Sequence, residues 1–224
     1  MCIRDRVRAE NIQFSSDQFV ALIRAARQYQ EALWVAETEP ELAWLILVSA
    51  IETAANEWAI EASNLENLKG GKPELCDSIL SQGSEQLLEE ISDVFGPTLQ
   101  STNKFLKFCL EFMPEAPEDR PVETSKQVKW SKTQLRGVLN KLYEFRSTAL
   151  HAGVPFPTPL CRPPVFTPGD LPYETGANGI AHHTRGGNWL AKDLPMTMNT
   201  FCFFVNGALN NWLDRMLANS PESM

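Results

Sequence analysis

Apolar positions recur at helical spacing along most of the chain, and no segment reads as a convincing strand. Phe14-Ser15-Ser16-Asp17-Gln18 has the form of a capping-box start, and Phe19, Leu22, Ile23, Ala26 and Leu33 follow on one face, so a first helix is predicted to about Glu37. Pro40 suits the first turn of a second helix. There Leu42, Leu45, Val48, Ala55 and Ala59 make a stripe, while Trp44, Ile46, Leu47, Ile51 and Trp58 leave little polar surface elsewhere. A helix apolar nearly all round belongs in the middle of a bundle. Gly70-Gly71 interrupts the chain, and two short helices are predicted from Pro73 and Ser84, the second stopped by Gly96-Pro97. Phe105, Leu106, Cys109, Leu110 and Phe112 mark a further amphipathic helix up to Pro114, and the Pro-rich charged stretch to Trp130 reads as a surface connection.

Ser131-Lys-Thr-Gln134 is another capping box; with Leu135, Val138, Leu139, Leu142, Phe145 and Ala149 behind it, it predicts a helix ending near Gly153. Between residues 154 and 194 come seven prolines and five glycines, too many for regular structure and too long for a simple connector, which leaves a lid, a dimer arm or a mobile insertion open. Pro195 opens a last helix, in which Phe201, Phe204, Val205, Ala208, Leu209, Trp212 and Leu213 close the core. The fold class is therefore all-α: a helical bundle over residues 15–218 with a long Pro/Gly-rich insertion, 154–194, before the last helix, flanked by tails 1–14 and 219–224. Met-Cys-Ile-Arg-Asp-Arg at positions 1–6 has no periodicity, resembles translated adapter sequence at the edge of a reading frame, and predicts no element of the fold.

With 224 residues and 43% apolar composition, the chain is long enough to bury a sizeable core. The best apolar run, Ala43 to Ile51, falls well short of the ~20 residues needed to cross a bilayer, so no membrane association is expected. Five scattered cysteines (Cys2, Cys76, Cys109, Cys161, Cys202), never spaced C-x-x-C, argue against a disulfide framework or zinc knuckle and for a cytoplasmic location. The net charge of −8 is unevenly spread. From Glu31 to Gln100, fourteen acids face Lys69 and Lys72; from Arg120 to His151, seven Lys/Arg face Glu123 and Glu144. Attraction for phosphate is confined to that second segment, where Lys129, Lys132 and Arg136 are the candidate RNA-binding residues.

The same segment ends in Arg146-Ser-Thr-Ala-Leu-His151. At about 100° per residue, Arg146 falls inside the arc of Leu135, Leu139, Leu142 and Ala149, while His151 lies about 140° away, on a strip with Tyr143 and Ser147. A guanidinium in an apolar stripe demands a partner, because unpaired burial costs several kcal/mol. Glu52 is equally out of place on the second helix, sharing the Leu45, Val48, Ala59 face, so Glu52 and Arg146 are expected to be in contact or to share a water. His151, in a last helical turn where partial negative charge favours the imidazolium, suits proton transfer.

Read as Leu142-Tyr-Glu-Phe-Arg-Ser-Thr-Ala-Leu-His-Ala-Gly153, the R-x4-H pairing on a late helix resembles the signature of the HEPN superfamily, in particular its Apea-like branch. Leu47-Val-Ser-Ala-Ile-Glu52-Thr-Ala is similar to that branch's acid-bearing helix, and the resemblance extends from Ser15 to Leu217 while being sharp only in these two segments. It implies a helical bundle that dimerises to bring two such helices into a composite cleft, and a metal-independent endoribonuclease needing no cofactor, of the kind used as a toxin or antiphage effector and held by an antitoxin or other regulatory protein. Arg146 would stabilise the pentacovalent phosphate and His151 would serve as general base or acid during 2′-hydroxyl attack, with Ser147 beside them and Glu52 and Tyr143 in support. Active members commonly carry Asn, Asp or His directly after the arginine; here Ser147 stands there.

Plainer readings exist for each residue. Arg146 and Glu52 suit a structural ion pair locking two helices, His151 suits a cap on helix-end carbonyls, and the whole suits a non-catalytic HEPN module binding RNA, a nucleotide or a protein. His182-His183 with Cys161 upstream lacks a spaced third ligand, so no metal site is expected. Trp34, Trp44, Trp58, Trp189 and Trp212 suit helix packing, whereas Trp130, beside Lys129 and Lys132, is placed to stack a base.

Overall fold

The structure is a computed structural model, and it describes residues 16–58, 63–167, 169–177, 179–184 and 187–218. The expected cap at 14–15, the tails, and Ala59 lie outside those residues. Helix α1 (Ser16–Val35) turns back within residues 36–39 into α2 (Pro40–Trp58), with Pro40 at the first helical position. Their contact is lined by small residues, Ala21, Ala25 and Ala32 on α1 and Ala43, Ala50 and Ala54 on α2, all buried, which lets the two backbones approach closely. Leu33 and Trp34 stay outside that seam, at 43% and 83% exposed. Leu22 and the alanines mark the buried face of α1, which corrects the expectation that Leu33 joins the stripe and Trp34 packs.

Short helices α3 (Asn64–Gly71) and α4 (Pro73–Gln82) follow, the first opened by a reciprocal Ser63/Glu66 capping box. With Leu68, Cys76 and Leu88 they form a small apolar cluster beside the main core. Next comes one long helix, α5 (Glu85–Glu111), capped by Ser84, which runs through Gly96-Pro97 instead of stopping there. A proline inside a helix forfeits one rung and costs about 3 kcal/mol. Packing on both sides outweighs it: Leu88 before the proline and Phe105, Phe108, Cys109 and Phe112 after it are buried. Gly96 belongs to the same arrangement, because a Cβ there would lie 2.6 Å from the Asn64 Cα.

Helix α6 (Lys132–Ala152) starts at Ser131, whose hydroxyl accepts from the Gln134 amide, and ends at Gly153, left-handed at φ 64°, a conformation glycine adopts without strain. The segment that follows is neither detached nor wholly irregular. Phe156, Leu160, Ala177, Leu194 and Met196 are buried in the main core; Trp44 stacks on Phe156 at 5.5 Å and donates from Nε1 to the Leu160 carbonyl at 3.0 Å. Strands β1 (Ala181–Thr184) and β2 (Gly187–Leu190) pair antiparallel, with His182 opposite Trp189, so Trp189 is on a strand and not in helix packing. This hairpin corrects the expectation of no strand; at four residues each, its strands are too short for periodicity to reveal. Helix α7 (Met198–Ala218) begins three residues after Pro195 and buries Phe201, Phe204, Val205, Ala208, Leu209, Trp212 and Leu213. The outcome is the expected all-α bundle, with α2 at its centre.

A buried acid ties the connections together. Glu174, 4% exposed, receives Arg120 through Nε (2.7 Å) and Nη2 (2.6 Å) and the Val128 amide at 2.7 Å. The Pro-rich stretch before α6 is thereby fastened to the segment before α7. No described helix is long and apolar enough to cross a membrane.

Candidate functional site

Helices α2 and α6 meet through three polar side chains. Arg146 donates from Nη2 to Glu52 Oε2 at 2.5 Å, and the Tyr143 hydroxyl donates to Glu52 Oε1 at 2.8 Å. The contact expected from the two helix faces is therefore present. Tyr143 belongs to this cluster and not to a strip shared with His151. Residues three apart are neighbours on a helix, so Tyr143 sits closer in azimuth to Arg146 than the strip allowed, and its ring is buried against Phe105 at 5.0 Å between centroids.

Both charged side chains of the pair are mostly sequestered, 19% exposed for Arg146 and 15% for Glu52. The Arg146 guanidinium carbon lies 5.7 Å from the Tyr143 ring centroid, and Nε is buried with no hydrogen-bond partner. Burial, then the Glu52 carboxylate, pushes the Tyr143 hydroxyl well above the usual phenol range. Tyr143 is thus a fixed donor, not a proton carrier.

His151 occupies the last turn of α6 and is exposed, while Ser147, one turn earlier, is half-buried. Cavities of about 360, 510 and 460 Å³ are formed by the described residues, and none is lined by Arg146, Ser147 or His151. Within one chain, then, the guanidinium is held against α2 while the imidazole faces solvent about 140° around the helix.

The three basic residues expected to bind RNA are exposed at the far end of α6. Lys132 and His151 are nineteen residues apart, about 28 Å along the axis. Arg136 donates to the Gly70 carbonyl at 2.6 Å, beside the 510 Å³ cavity, so only part of its hydrogen-bonding capacity is free. Trp130 is not a stacking platform. Its Nε1 donates to the Pro114 carbonyl at 2.9 Å, its ring packs edge-on to Phe203, and Arg120 lies over it. No three His, Cys, Asp or Glu side chains converge as a metal site among the described residues, and His183 Nδ1 is hydrogen-bonded to Asn188 at 2.7 Å. The Arg120–Glu174 strut went unread in the sequence because its partners are 54 residues apart and on no shared helix. Compared with family models, with curated proteins and with solved structures, the chain finds no match.

Proposed function

We propose that the chain is a HEPN-type, RNA-directed helical module that cleaves RNA without a metal ion, with the reacting phosphodiester held between two copies. The observation that carries this reading is the Glu52–Arg146 contact, since it joins the two segments on which the resemblance rests, 94 residues apart in sequence. Exposure of His151 on the same helix supports it.

In this reading the 2′-oxygen attacks the neighbouring phosphorus, His151 takes the hydroxyl proton, and the bond to the 5′-oxygen breaks as that oxygen takes a proton from water, giving a 2′,3′-cyclic phosphate and a 5′-hydroxyl. Arg146, steadied by Glu52, offers the Nη hydrogens that Glu52 leaves free to the phosphate as charge builds in the transition state. A single copy aims the two groups apart, so the complementary group comes from the second copy. Lys129, Lys132 and Arg136 hold more distant phosphates of the same strand. Such an activity suits a growth-arresting toxin or antiphage effector under the control of a regulatory protein.

A second reading follows from the same ion pair. Glu52 already holds Arg146 and also accepts from Tyr143, which favours a non-catalytic module binding RNA, a nucleotide or a protein. Incubation of labelled RNA with wild type and His151→Ala in EDTA separates the two: cleavage by wild type alone is expected. An inert wild type, or equal cleavage by His151→Ala, refutes catalysis by this site.

A further inference from the structure

A separate cavity of about 360 Å³ lies between the turn Thr158–Cys161 with its following prolines, strand β1, and the start of α7. Its walls are fixed by bonds already described or adjacent to them: Trp44 to the Leu160 carbonyl, Glu174 to Arg120, and the Thr197 hydroxyl to the Tyr173 carbonyl at 2.9 Å. A preformed hollow of this size falls within the roughly 300–1,000 Å³ of small-molecule sites.

Two basic side chains, Arg162 and His182, line it, and no Asp or Glu does among the described residues. Neither has a hydrogen-bond or ion-pair partner among those residues, whereas Arg120, Arg136, Arg146 and Arg215 each have one. Asn199, in the first turn of α7, adds an amide donor on the same wall. The remainder is largely apolar, with Pro163, Val165 and Tyr173 among the lining. Unpaired donors, one of them the fixed charge of the Arg162 guanidinium, beside an apolar lining match a ligand with an anionic group at one end and an apolar ring at the other.

We infer that this cavity binds a small organic anion, its phosphate or carboxylate held by Arg162 and His182 and its apolar body lying against Pro163, Val165 and Tyr173. The site is independent of Arg146 and His151. Isothermal titration of the full chain with phenyl phosphate and with benzoate tests it, and the tighter of the two names the anion. Arg162→Gln and His182→Asn are each expected to weaken binding on the order of tenfold or more, as loss of a charge-assisted hydrogen bond does. Lys107→Gln, on exposed α5 surface, should leave it unchanged, and thermal melts should show all variants folded. Inorganic phosphate and benzyl alcohol, each carrying one half of the ligand, should bind at least about tenfold more weakly. The inference is overturned if neither probe binds at about 5 mM, if a folded Arg162→Gln chain binds them undiminished, or if benzyl alcohol alone binds as tightly.

Discussion

Replacing Glu52 by leucine strands a guanidinium whose Nε already has no partner. Breaking a buried ion pair from one side costs about 3–5 kcal/mol, and the residual exposure of both partners, 15–19%, brings the expectation to the lower end, about 3 kcal/mol. Arg146→Met removes the cation but leaves Glu52 accepting from Tyr143, so about 2 kcal/mol is expected. The double variant Glu52→Leu/Arg146→Met replaces two charges by apolar groups in a largely apolar seam and should cost less than the sum, with a coupling of about 2 kcal/mol. For a chain of 224 residues each kcal/mol moves Tm by roughly 2–4 °C, so Glu52→Leu should melt about 6–12 °C below wild type. Urea denaturation followed by circular dichroism gives the four free energies of the cycle. Additivity within about 0.5 kcal/mol refutes the view that this pair joins α2 to α6.

Glu174→Ala removes the acceptor of both Arg120 bonds and of the Val128 amide inside the protein, and a loss of about 3–5 kcal/mol is expected by urea denaturation; a loss under about 1 kcal/mol contradicts the strut. Two glycines in helices should respond oppositely to alanine. A Cβ at Gly207 would lie 2.5 Å from the Pro114 Cβ and should cost about 1–3 kcal/mol, whereas Gly137, with nothing within 4 Å, should gain about 0.5–1 kcal/mol in thermal melts. Burial pushes the Cys161 thiol up to about 12, Cys202 to about 11 and the Tyr29 hydroxyl to about 12. Raised folded values mean that this stability is complete below the unfolded thiol range, at about pH 8.5, and is lost as pH rises from there through the folded values of about 11 to 12. Tm should therefore hold from pH 7 to about 8.5 and fall beyond it; a Tm unchanged at pH 10.5 contradicts the burial of these groups.

The elements with a physical stop signal were legible in the sequence. Pro40 opens α2, Ser131 opens α6, and Gly153 ends it in the one conformation that favours glycine. Glu52 and Arg146 were legible as a pair because each is a charge on an apolar helix face, and the cost of burying either alone leaves the other as its nearest remedy. What escaped depended on partners distant in sequence. Gly96-Pro97 has the composition of a helix stop, and only packing on both flanks keeps α5 whole. Phe156, Leu160 and Leu194 enter the core from a segment without period, so no pattern marks them as buried. Tyr143 stands nearer to Arg146 than to His151 around α6, and its hydroxyl reaches Glu52 on α2, a partner that position on one helix does not reveal.

The claim that a cleavage site forms only between two copies is tested most directly by RNA cleavage per chain across a dilution series, with the mass of the species followed by light scattering. Specific activity should rise with the fraction of dimer and vanish where the 25.2 kDa monomer prevails. Constant activity per chain throughout the monomeric range contradicts the account.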